Sequence, residues 1–95
     1  MLRVDLRRPA AGTLEFLISG TLDADQVAVV REAIQRGFAQ RMGITLNLGG
    51  LIGLDLAGCR ALAEWRQLGA RLVASPAFVR RWIQSDRLSR IRGES

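Results

Sequence analysis

Near the middle of the chain, Ile44-Thr45-Leu46-Asn47-Leu48 forms a short, mostly apolar run of the kind that lies centrally in a sheet. Helical patterns stand on both sides of it. Upstream, Val27, Val30, Ile34 and Phe38 recur at three- and four-residue spacing, while Arg31, Glu32, Gln35 and Arg36 fill the opposite, wet face. Asp23 or Thr21 can cap that helix, and Gly43 stops the helical region. Downstream, Asp55 can cap a second helix running to about Leu68, with Gly69 at its C-terminal side. A buried strand between two amphipathic helices points to an α/β architecture.

The flanking segments extend this pattern. Leu2-Arg3-Val4-Asp5-Leu6-Arg7 alternates strictly, as a half-buried strand does. The turn Pro9-Ala10-Ala11-Gly12 joins it to a second strand, Thr13–Ser19, ended by Gly20, which reads as a hairpin. Ala70–Ala74 makes a fourth strand. Ser75-Pro76 then starts a third helix, with Phe78, Val79, Trp82 and Ile83 as its apolar stripe. Ser85-Asp86 restarts a last short turn carrying Leu88 and Ile91. The order β-β-α-β-α-β-α predicts a mixed four-stranded sheet with three main helices packed on it. With 95 residues, the chain has room for one core only. Residues 1–85 are expected to form that domain, and 86–95 a short basic tail.

Composition narrows the chemistry. The chain has no His, no Lys and no Tyr, and Cys59 is its one cysteine. A Cys/His metal site, a Ser-His-Asp triad, a Cys-His dyad, a Schiff-base lysine and a disulfide framework are therefore all excluded within one chain. No cofactor is expected, and no enzymatic activity. Gly49, Gly50 and Gly53 have the wrong spacing for a phosphate loop, and no Lys follows them; they read as turn positions needing positive φ. No run reaches the roughly 18 apolar residues of a bilayer span, so no membrane insertion is expected. Charges follow Met1 at once, unlike a signal peptide, which suggests a cytoplasmic protein. Five of the fourteen arginines (Arg80, Arg81, Arg87, Arg90 and Arg92) lie in residues 80–95. Trp82 is the one aromatic residue among them, fewer than a single-strand binder would need, so they read as a solvated face, and no DNA partner is expected.

The run from Ile44 to Gly58 resembles the signature of STAS domains, the sulphate transporter and anti-sigma-factor antagonist family. Asn47 takes the place of the first Asp of that signature, Gly49-Gly50 the small pair and Leu51 to Leu54 the apolar link. Asp55 takes the second acid and Gly58 the glycine. Upstream, Ser19-Gly20-Thr21-Leu22-Asp23 resembles the segment that leads into the family's first helix. Downstream, Gly69–Val73 and Ser75-Pro76 resemble its strand and last-helix start. In phosphorylated members the residue before the glycine is Ser or Thr; here it is Ala57, preceded by Leu56. The resemblance therefore implies a STAS-like fold without the phosphorylation switch.

It also implies a docking role. Members of this kind bind anti-sigma kinases or serve as small subunits of phospholipid-moving ABC transporters, through the second helix and the loop before it. The expected partner is an anti-sigma kinase or a transporter ATPase, docked constitutively; the alternative is a domain that binds a small ligand, nucleotide or lipid. The candidate docking residues are Leu51, Ile52, Leu54, Asp55, Leu56, Ala57, Gly58, Arg60 and Glu64. Among the large apolar ones some must pack inward, and the others are left to form an interface. Arg60, Glu64 and Gln67 follow at helical spacing along one face. Asp55 also has a sufficient role as a helix cap. Cys59 reads as a small buried hydrophobe, and Trp65 as either core or an exposed anchor. Trp82 reads as core or as cover for the sheet edge.

Overall fold

A computed structural model describes residues 1–82. The hairpin forms as its alternation requires. Strands β1 (Leu2–Arg7) and β2 (Thr13–Leu22) pair antiparallel, and the turn closes through Gly12 at φ +77°. Helix α1 (Ala24–Ala39) follows, then β3 (Gly43–Leu54), α2 (Leu56–Gln67) and β4 (Arg71–Val73). A third helix occupies residues 77–82, directly after Pro76. The strand order is β1-β2-β3-β4; β3 runs parallel to both β2 and β4. This is the expected mixed four-stranded sheet with three helices.

One face of the sheet carries the core. Leu14, Phe16 and Ile18 of β2 and Ile44, Leu46 and Leu48 of β3 point to the helices, against Val27, Val30 and Ile34 of α1 and Leu62 of α2. Alternate positions on the other face, among them Glu15, Thr45 and Asn47, are half-exposed and polar. Gly37 lets α1 lie close on the sheet: a Cβ there would sit 2.6 Å from Ile44 Cδ1.

Both inner strands outrun their expected ends. β2 continues through Gly20 to Leu22, and β3 through Gly49-Gly50 to Leu54. Gly20, expected to end β2, lies inside it at φ +93°, where any Cβ would strike the Met1 carbonyl oxygen. Gly49, Gly50 and Gly53 are not positive-φ turn residues; among the described residues the positive-φ glycines are Gly12, Gly20 and Gly69. Gly50 is needed for a different reason. A Cβ on it would fall 2.6 Å from Ser19 Cβ on the neighbouring strand. The segment read as a glycine loop is thus a strand whose glycines permit close pairing.

Val79 is buried and Phe78 half-buried on the third helix, but Trp82 is 43% exposed and so is not core. Its expected stripe partner Ile83, the turn with Leu88 and Ile91, and the tail 86–95 lie outside the described residues.

Candidate functional site

The parallel strands β2 and β3 end side by side, and a helix starts from each. At the first junction Asp23 is the N-cap of α1, accepting from Gln26 N at 3.1 Å. At the second, Asp55 caps α2 by accepting from Gly58 N at 2.8 Å. Its other carboxylate oxygen accepts from Ala24 N, the first residue of α1, at 3.0 Å. The Asp55 backbone N–H donates to the Leu22 carbonyl at 3.3 Å. One carboxylate therefore meets the positive ends of two helix dipoles and two otherwise unsatisfied N–H groups. Both oxygens are engaged within the chain, so the capping role of Asp55 accounts for its position.

Two β-bulges prepare this end of the sheet. Leu17 pairs with Asn47 but Ser19 with Gly50, so Leu48 and Gly49 together oppose Ile18. Gly20 pairs with Leu51 but Thr21 with Gly53, so Ile52 is an extra residue with no opposite number. Bulges re-aim the side chains beside them. The first returns Leu51 to the core, where it is buried, and the second leaves Ile52 80% exposed. Leu54 is half-buried against the core.

The expected docking residues accordingly separate. Leu51 and Gly58 are buried and present no surface. Gly58 sits directly over the Leu22 carbonyl oxygen, with Leu54 Cδ1 2.9 Å from where a Cβ would be. Ile52, Leu56 (51% exposed) and Arg60 are exposed, and Ala57, in the first turn of α2, is half-buried. Leu56 and Arg60 are four residues apart and share a helix face. Glu64 is turned toward α1, where Arg31 Nη1 lies 3.0 Å from one of its carboxylate oxygens and 3.1 Å from the other. Gln67 and Leu68 are exposed at the far end of α2.

Cys59 is buried, as expected. Trp65, left open between core and exposed anchor, is core at 1% exposure. Its place in the run Gly58, Leu62, Trp65 is the spacing of a buried stripe, a stronger signal than its charged sequence neighbours. Among the described residues its indole N–H is the buried side-chain polar group left without a hydrogen-bond acceptor. No group of three or more acidic, Cys or His side chains among the described residues could hold a metal ion. No described helix is long and apolar enough to cross a membrane.

No known protein family matches the sequence in a profile comparison. No curated protein matches it either. The fold does find counterparts. An anti-sigma factor antagonist from Mycobacterium paratuberculosis superposes with a TM-score of 0.76 at 20% identity, over 96% of this chain and 82% of that one. The anti-sigma factor antagonist SpoIIAA in its unphosphorylated form gives 0.72 at 19% identity, over 96% of this chain and 99% of that one. This chain has the SpoIIAA-like fold. An uncharacterised Shewanella loihica protein of the same fold aligns with a TM-score of 0.58 at 12% identity, over 81% of this chain and 69% of that one. The SpoIIAA-like architecture is the one the STAS resemblance implied.

Proposed function

We propose that this chain is a non-catalytic protein-docking domain whose contact surface is the exposed edge formed by Ile52, Leu56, Ala57 and Arg60. The observation that carries this reading is the bulge that leaves Ile52 exposed, four residues before exposed Leu56 at the start of α2. Two large apolar side chains on a rigid strand end and helix start resemble the centre of an interface. The Asp55 cap fixes both elements, so little ordering entropy is lost on contact. The likeness to two anti-sigma factor antagonists supports a partner of the anti-sigma kinase class; an ABC transporter ATPase is the second partner class that the STAS resemblance implies.

In this reading docking is constitutive. Ala57 takes the place of the phosphorylated hydroxyl residue and has no oxygen to modify. Incubation with an anti-sigma kinase and ATP is expected to leave the mass of the chain unchanged. Affinity capture from the host followed by mass spectrometry identifies the partner. Ile52→Ser and Ala57→Asp are then each expected to weaken its binding by about tenfold or more, with thermal unfolding nearly unchanged. Affinity and stability both unchanged in both variants would place the interface on another surface.

A further inference from the structure

The outer edge of the sheet carries a second unpartnered surface. β1 is an edge strand, exposed along its length apart from half-buried Leu2. Its register with β2 puts Leu2, Val4 and Leu6 opposite Gly20, Ile18 and Phe16, on the face of the sheet that bears the helices. The helices do not cover it there: Val4 is 40% and Leu6 55% exposed. Exposed Val29 lies two residues before Arg31 and so on the flank of α1 away from α2. Arg3, Asp5 and Arg7 alternate onto the other face, where Arg3 Nε lies 3.1 Å from Asp5.

The backbone of β1 says which groups are free. Thr21 N donates to the Met1 carbonyl at 2.9 Å, so Met1 and Thr21 are a hydrogen-bonded pair. In an antiparallel ladder such pairs alternate, so Arg3, Asp5 and Arg7 bond toward β2. The N–H and C=O groups of Leu2, Val4 and Leu6 therefore point away from β2, to the open edge. Long exposed edges of this kind are templates for another strand.

We propose that this edge pairs with β1 of a second copy of this chain, antiparallel about a twofold axis at Val4, joining two four-stranded sheets into one. In that register Val4 faces its own copy and Leu2 faces Leu6 of the second copy. These are the residues whose backbone groups are free, so they exchange N–H···O bonds reciprocally. Arg3 faces Asp5 of the second copy, twice over, in the closer non-hydrogen-bonded positions. Charge selects this register over those centred on Asp5 or Arg3. Centring on Asp5 would oppose Asp5 to its copy and Arg3 to Arg7, and centring on Arg3 would oppose two arginines. Centring on Leu6 would pair Asp5 with Arg7, but it would set Val4 against Arg8 and leave Leu2 unpaired. The apolar row of Leu2, Val4 and Leu6 is then continuous between the two copies.

Sedimentation equilibrium of the full chain, from micromolar to submillimolar concentration, tests this. A reversible monomer–dimer equilibrium is expected. Val4→Pro removes an N–H that β2 does not use, so it should give a monomer with nearly unchanged thermal unfolding. Arg3→Asp and Asp5→Arg are each expected to weaken dimerisation by about tenfold, because both cross-strand pairs become repulsive. Mixing these two variants should restore dimers, since every pair across the axis is then of opposite charge. The double variant should restore them too. This charge exchange is decisive whether or not Val4→Pro folds. A chain that stays monomeric throughout, or single variants that are not rescued by mixing, would overturn the proposal.

Discussion

The two strand-to-helix junctions of the parallel layer are built from nearly the same residues and do different work. Leu22-Asp23-Ala24 leads from β2 into α1, and Leu54-Asp55-Leu56 from β3 into α2. Asp23 holds one N–H, that of its own helix, whereas Asp55 holds one on each helix. At the third residue after the cap, α1 has half-buried Gln26, and α2 has Gly58 lying on the Leu22 carbonyl. The first junction ends in fully buried Leu22, while the second is flanked by exposed Ile52 and Leu56. Similar capping chemistry thus serves folding at one junction, and at the other also holds up an apolar surface. The difference arises from what lies beneath: α2 starts on top of the end of β2, and the bulged end of β3 lies beside it.

Exchanging the residues that differ is the most severe test. Gly58→Gln, which copies α1, should destabilise the fold by about 3 kcal/mol, because a Cβ collides with backbone and with Leu54. The reverse change, Gln26→Gly, should cost about 1 kcal/mol of helix propensity. Urea unfolding measures both, and similar losses at the two sites would mean that the junctions are equivalent. Next in size are the caps. Asp55→Ala should cost about 2 kcal/mol and Asp23→Ala about 1 kcal/mol, since the first leaves two helix starts unsatisfied and the second one. Chemical denaturation with equal values at both positions would show that the Ala24 contact contributes nothing.

Smaller still is the tie between the helices farther along. The Arg31–Glu64 pair is substantially exposed on both sides, so a double-mutant cycle should return about 0.5 kcal/mol. A value of several kcal/mol would move the main link between α1 and α2 away from Asp55. The least effect on stability is expected at Ile52. Ile52→Ser should change the unfolding free energy by less than about 0.5 kcal/mol. A larger loss would mean that Ile52 supports the sheet rather than the surface.

Much of this architecture was legible in the sequence because it rests on local chemistry. The caps at Asp23 and Asp55, the apolar stripe of α1 and the glycine at φ +113° after α2 all act within a turn or two of chain. The alternation of β1 and the apolar run of β3 likewise mark strands directly. What local chemistry did not reveal was the pairing of the glycine segments. Gly20 and Gly49-Gly50 carry the composition of a loop, and only the neighbouring strand shows that they are inside a sheet. For that reason the division of Leu51 from Ile52 into core and surface was hidden. It depends on a register shift, which belongs to two strands together. Trp65 was a different omission, because its helical spacing from Gly58 and Leu62 was there to be read.

The bulges also bear on how the chain tolerates change in length. Leu48 and Leu51 both reach the core although they are three residues apart, an odd spacing that a regular strand cannot serve. A surface loop rich in glycine accepts the loss or gain of a residue with little consequence. This segment does not have that latitude for a gain. Inserting one residue between Gly50 and Leu51 would turn Leu51 outward or carry the strand end, the Asp55 cap and the start of α2 out of register with β2. Loss of Gly49, by contrast, would only remove the bulge and leave Leu48 and Leu51 two apart on the core face. The stretch that looks most expendable by composition is therefore among the least permissive to insertion.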